Sequence, residues 1–128
     1  MFHDDTVCSH EYYNADGFCE ACGAYQKAIQ SGEYYEIYNA GQLFWFAKQF
    51  NDGKISNKSN LKLMKDIKIP DGHDWTSIGD IYHKYFKGNI EGNYHVISGL
   101  RPTADNTSLK RGLVARIQDG KVQNLGLV

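Results

Sequence analysis

What this sequence lacks narrows its biochemistry. Its 128 residues hold no run of five or six like charges, and 14 Lys and Arg against 15 Asp and Glu leave a formal net charge of -1. The concentrated positive field that draws a chain to nucleic acid or anionic lipid is missing, so nucleic acid is not an expected partner. No stretch is apolar enough to span a bilayer, and no membrane insertion is expected. There is no nucleophile elbow, no phosphate-binding glycine loop and no H-E-x-x-H, so no catalytic motif presents itself. The opening residues, Met1-Phe2-His3-Asp4-Asp5-Thr6, carry neither the basic start nor the apolar run of a signal peptide. Two expectations follow from that: an intracellular chain, or one from which a targeting segment is absent.

Proline is limited to Pro70 and Pro102, whereas glycine occurs 13 times and tyrosine nine. That balance suits turn-rich β-structure better than a helical bundle. Residues 1 to 32 hold all three cysteines and almost no regular hydrophobic period, so this segment needs a staple other than a core. It ends at Gln30-Ser31-Gly32, which reads as a short linker, and Tyr34 to Tyr38 follows as a strand rich in aromatic and β-branched residues. Asn39 is an N-cap with Gln42 three residues on, a capping box, and Asp52-Gly53 is a stop, which predicts a helix to about Asn51. Ala40, Leu43, Phe46, Ala47 and Phe50 share one helical stripe; Phe44 lies at its edge and Trp45 nearly opposite.

Beyond the helix, short apolar segments alternate with Gly, Asn and Asp: Leu61 and Leu63, Ile67 and Ile69, Trp75 to Gly79, Phe86 to Leu100, Gly112 to Ile117 and Val122 to Val128. β-pieces near residues 67, 97 and 125 predict coils of about two to three dozen residues, as in a parallel β-helix or solenoid. A helix placed before the first coil is suited to cap its open end. The last segment stops in mid-pattern, so the expectation is a fragment truncated at its C-terminal end, or a stack completed by self-association through an uncapped end.

The order of these pieces carries a resemblance. Tyr35-Glu36-Ile37-Tyr38-Asn39-Ala40-Gly41-Gln42-Leu43-Phe44-Trp45-Phe46-Ala47, Leu63 to Ile69, Trp75-Thr76-Ser77-Ile78-Gly79, Phe86-Lys87-Gly88 and Gly92 to Leu100 resemble the repeat-bearing region of bacterial surface proteins with GLUG motifs. Arg111 to Ile117 and Gly120 to Leu127 look like the pattern leading into the repeats. The resemblance implies a mainly β chain, a right-handed parallel β-helix with an N-terminal capping helix, in secreted or cell-surface adhesins and some surface proteases. The resemblance covers about residues 34 to 128; the expected domains are residues 33–128, the helix-capped β-helix domain, and residues 1–32, which lie outside the resemblance and are read as a zinc-binding lobe from their ligand spacing. The expected function is a non-catalytic scaffold or adhesion module whose partner is a surface glycan or a protein ligand. The alternative is part of a polysaccharide-active β-helix enzyme, a lyase or glycosidase.

Cys8 and His10 form a C-x-H pair, and Cys19 and Cys22 a C-x-x-C pair. Four such ligands fit one tetrahedral Zn2+ and leave no position for a catalytic water, so the metal's role is structural. Gly23 follows the knuckle, and Asn14-Ala15-Asp16-Gly17 has the turn chemistry to return one pair to the other. A lobe this small cannot offset its ordering entropy by burial, whereas zinc supplies on the order of 10 kcal/mol. A Cys8–Cys19 disulfide is the competing reading, natural for an oxidised surface protein, but it strands one cysteine and gives His10 no role. His3 is an alternative fourth ligand.

Tyr34, Tyr35, Tyr38, Phe44 and Trp45 form a candidate platform for sugar rings, with Asn39 and Gln42 at its rim, set against plain packing between lobe, helix and first coil. His73, His83 and His95 are scattered, and Asp71, Asp74, Asp80 and Glu91 have no spacing that forces an acid–base pair. A β-helix could align Asp66 with Glu91; solvated turn residues are the plainer reading. Asn89, Asn93 and Asn124 read as turn residues or an asparagine ladder. The zinc reading predicts one zinc per chain by elemental analysis, and loss of structure over residues 1 to about 30 on chelation while the β-domain persists. A metal-free protein with a Cys8–Cys19 bridge would contradict it.

Overall fold

A computed structural model describes residues 13–19, 24–70, 75, 78–79, 85–99, 113–114, 118 and 120–127. The described residues are mainly strand with one helix: β1 (Ile29–Ser31), β2 (Tyr34–Ile37), α1 (Ala40–Asn51), β3 (Asn60–Leu63), β4 (Ile67–Lys68), β5 (Asn89–Glu91), β6 (Val96–Ser98), β7 (Lys121–Gln123) and β8 (Gly126–Leu127).

Two sheets result, one in the order β1-β2-β3-β5-β7 and one in the order β4-β6-β8. Among the described strands only the β1–β2 pairing is antiparallel; the other strand pairs are parallel. Tyr34 pairs with Asn60, Leu61 with Ile90, Asn89 with Lys121, and Ile67 with Ile97, steps of 26, 29, 32 and 30 residues. A third line of contact joins Ile78 to Val114 in a parallel bridge. On a side nearer β5, Phe86 accepts from the N–H of Gln118 and Lys87 donates to Asn57.

The alternation within each strand decides what faces inward. Leu61, Leu63, Ile67, Ile90 and Ile97 are buried, and their neighbours Asn60, Lys62, Asn89, Glu91 and Ser98 are partly exposed. Each full burial of such an aliphatic side chain stabilises the fold by roughly 1.5–3 kcal/mol. Tight vertical spacing demands small residues at the strand starts: a Cβ on Gly88 would meet the Ser59 carbonyl, and one on Gly120 the Gly88 carbonyl.

The helix begins where the sequence predicts. Asn39 is extended, and its side chain accepts from the N–H of Gln42 at 2.9 Å. The reciprocal half differs from a simple capping box: Gln42 Oε1 accepts from Tyr38, one residue before the cap, at 2.6 Å. At the other end Gly53 is left-handed (φ 73) and donates to Phe50, while Lys54 donates to Gln49, which is a Schellman motif.

Two placements depart from the sequence reading. The segment read as a linker is the end of β1 and its turn, where Gly32 (φ 60) starts a two-residue hairpin loop and Ser31 pairs with Tyr34. The helix does not stand before the first parallel pair; it lies in the crossover between β2 and β3, parallel strands that require a long connection. Its apolar faces meet two neighbours. Phe46 and Phe50 pack on the fully buried Phe86, with ring centroids 6.4 and 5.7 Å apart. Phe44 packs the other way, on Phe18 and Tyr25 at 5.5 and 5.4 Å.

Phe86 therefore joins the helix to the strand stack, and Phe86→Ala should lower unfolding stability by about 3–5 kcal/mol, read from urea denaturation at constant m-value.

Candidate functional site

Three of the four expected zinc ligands, Cys8, His10 and Cys22, lie outside the described residues, as do the alternative ligand His3 and the segment 20–23. Cys19 is described, and its surroundings are built from turn chemistry. The Asn14 side chain accepts from Asp16 at 2.9 Å and from Phe18 at 3.1 Å, and Gly17 (φ 86) completes the turn. The chain then runs back along itself: Tyr13 bridges Cys19, Phe18 bridges Tyr25, Cys19 donates to Ala24 at 2.8 Å, and Gln26 donates to Gly17 at 2.8 Å. Cys19 thus sits 2% exposed at the closed end of a short antiparallel ladder. Among the described residues no group of three or more His, Cys, Asp or Glu converges on a metal position.

The aromatic candidates divide into two sets. Phe44 is buried between Phe18, Tyr25 and Trp75. Tyr35 and Trp45 are half-buried and in ring contact, centroids 5.8 Å apart, and Tyr35 also meets Phe46 edge-on. Tyr38 is half-buried, and its phenol lies 3.4 Å from a Glu36 carboxylate oxygen. Desolvation, then the Glu36 charge and hydrogen bond, push the phenol above its ordinary pKa, so it remains a neutral donor. Gln42, placed at the rim of the platform by sequence, is 1% exposed and holds two backbones together, accepting from Tyr38 and donating to the Lys27 carbonyl at 3.2 Å.

The most exposed large apolar side chain among the described residues is one the sequence reading passed over. Tyr94 is 82% exposed and, with Asn93, holds positive φ (63 and 54) in a turn closed by His95 donating to Gly92. The Gly92-Asn93 pair signalled the turn; nothing local signalled a strained tyrosine at its tip.

The outward residues line up across the parallel strands: Glu36 beside Lys62, Lys62 beside Glu91, Glu91 beside Gln123. The two carboxylates of this row are separated by a lysine. Glu91 is committed to the corner that follows β5, accepting from the Asn93 N–H at 2.7 Å, Gln123 at 2.8 Å and Asn124 at 3.2 Å. Asn60 does similar work one row away, donating to Glu33 and accepting from Asn89. Asp66 accepts from the Val96 N–H at 2.9 Å and lies 3.1 Å from His95 Nδ1, so it ties the corner after β3 to the next strand and not to Glu91. His73, His83, Asp71, Asp74 and Asp80 lie outside the described residues.

No family model matches the chain, and no curated protein or solved structure matches it. No described helix is long and apolar enough to cross a membrane.

The hydrogen bond from Asn93, aided by Asn124, Gln123 and the Lys62 charge, holds the Glu91 carboxyl below its ordinary pKa. Asp66 is lowered likewise, by Val96 first and His95 second. A carboxylate whose pKa is depressed on folding adds stability that is full above the unfolded value, about 4.3 for Glu, and fades as pH falls through the folded value. Glu91→Gln should therefore lower the urea midpoint clearly at pH 7, and the gap from the parent should close as pH is taken below about 4. A gap independent of pH would show that the charge is not what Glu91 contributes.

Proposed function

We propose that this chain is a non-catalytic scaffold and binding module of a surface-exposed or secreted protein: a right-handed parallel β-helix, akin to the repeat-bearing region of GLUG-motif proteins, closed at one end by α1 and by a lobe stapled with one structural zinc. The observation that carries the reading is the parallel register. Strands recur at steps near 30 residues in two sheets, with aliphatic residues stacked inward and a row of Glu36, Lys62, Glu91 and Gln123 outward. Coils of a solenoid require that arrangement, since each can bury its apolar face only on its neighbours.

Cys8, His10, Cys19 and Cys22 are the proposed metal set, and its filled coordination gives the ion a folding role. The scaffold reading is favoured over a polysaccharide-active enzyme because the row that would supply paired carboxylates alternates in charge, and Glu91 is spent on backbone and amide donors. Tyr35, Tyr38 and Trp45 are the candidate ligand contacts that keep exposed surface, and Tyr94 joins them. An aromatic ring standing 82% exposed on a left-handed backbone costs stability where Gly would not, which fits retention for contact.

A glycan array and a protein pull-down with folded chain are the direct test. Binding abolished by Tyr94→Gly, in a variant whose unfolding stability rises by about 0.5–1 kcal/mol, is the expected result. A folded chain that captures no glycan or protein would reduce the module to a structural cap.

A further inference from the structure

The N-terminal segment 14–27 and the start of α1 lie against each other. The contacts between them are of a kind that makes them one unit. Gly41, in the first turn of α1, donates its N–H to the Asp16 carbonyl at 2.6 Å, and a Cβ on Gly41 would meet the Gly17 backbone. Gly17 has no room for a side chain either, because the Asn39 amide occupies that space. Asn39, the N-cap, donates to Gln26 at 2.9 Å while it caps Gln42. Gln42 in turn donates to Lys27. Phe18, which precedes Cys19, and Tyr25, its partner across the ladder, form the apolar seat for Phe44.

Residues 14–19 and 24–27 thus supply the groups that complete the first turn of α1, and the same residues form the ladder that fixes Cys19. A helix start leaves its first N–H groups without intrahelical partners. Here Gly41 finds its acceptor on the segment that bears the cysteine. Ordering one side therefore lowers the entropy that the other must lose.

Resting on the zinc reading, we propose that metal binding at the Cys19 knuckle and formation of the first turn of α1 are thermodynamically coupled: zinc sets the cap of the strand stack, and the cap raises affinity for zinc. Linkage makes the two effects equal. Gly41, about twenty residues along the chain from the knuckle, becomes a determinant of metal affinity without being a ligand.

The test uses the full chain and zinc itself. Hydrogen exchange is measured with and without zinc, and zinc affinity is measured by competition with a chromophoric chelator for the parent, Gly41→Ala, Phe44→Leu and the control Lys62→Ala. Chelation should cost the Gly41 and Gln26 amides about tenfold or more in protection while Met64 and Gly92, bonded to Ile37 and Gln123 within the stack, keep theirs. Gly41→Ala and Phe44→Leu should each weaken zinc binding by about tenfold, with Lys62→Ala unchanged. Should Gly41→Ala fail to fold, Phe44→Leu and the exchange data on the parent still decide the matter. Equal zinc affinity in the folded variants with unaltered Gly41 protection overturns the coupling and leaves the zinc reading standing. A parent chain that binds no zinc overturns both.

Discussion

Parallel strands stacked residue on residue impose one rule on everything else in this fold: whatever stands at a given position must tolerate its counterpart about 4.8 Å above and below. Leu61 over Ile90 obeys it by apolar contact, and Lys62 beside Glu91 by opposite charge. Gly88 and Gly120 obey it by having no side chain where the backbones close in. The strand ends obey it through hydrogen bonds that reach the neighbouring parallel strand or its end, linking Asn60 with Asn89, Asp66 with Val96, and Glu91 with Gln123 and Asn124. Because antiparallel hairpins cannot satisfy such a stack, each return needs a long connection, and the first of these is long enough to hold a twelve-residue helix.

A stack of this kind exposes unpaired strand edges at its ends. At the N-terminal end β1 turns back antiparallel along β2 and covers that edge, with its own three residues exposed. The helix packs two ways, on Phe86 with Phe46 and Phe50 and on Phe18 and Tyr25 with Phe44. Gln42 is tolerated in this apolar setting because both ends of its amide are bonded, so no buried polar atom is stranded.

Much of this was legible from local chemistry. Asn39 and Gly53 mark the helix ends because capping is settled within four or five residues of chain. The alternation of Leu61 and Leu63 marks a strand for the same reason. The roles of individual surface residues were less legible. Phe44 and Trp45 are adjacent on one helix, and helical geometry assigns the edge of the stripe to one and the far side to the other. Which of them meets the N-terminal segment depends on where Phe18 and Tyr25 arrive, from 26 and 19 residues before Phe44; they arrive at Phe44, and Trp45 finds Tyr35 instead. Gln42 looked like a rim residue because nothing in the chain nearby discloses that Lys27 lies against it. Glu91 looked like a solvated turn carboxylate, and its anchoring partners Gln123 and Asn124 are more than thirty residues on.

The sequence by itself determined the strand-rich class, the bounds of the helix, the approximate period of the apolar segments and the position of the Asn14 turn, since each follows from short-range backbone and burial preferences. Only the tertiary structure decided that the helix lies within the β2–β3 crossover, that Ser31 belongs to a hairpin, that the outward row alternates in charge, and that Gly17 and Gly41 meet backbone to backbone. Apart from the local Ser31 hairpin, those outcomes depend on how segments about 24 to 32 residues apart meet, and register is a property of how strands stack, not of any one strand.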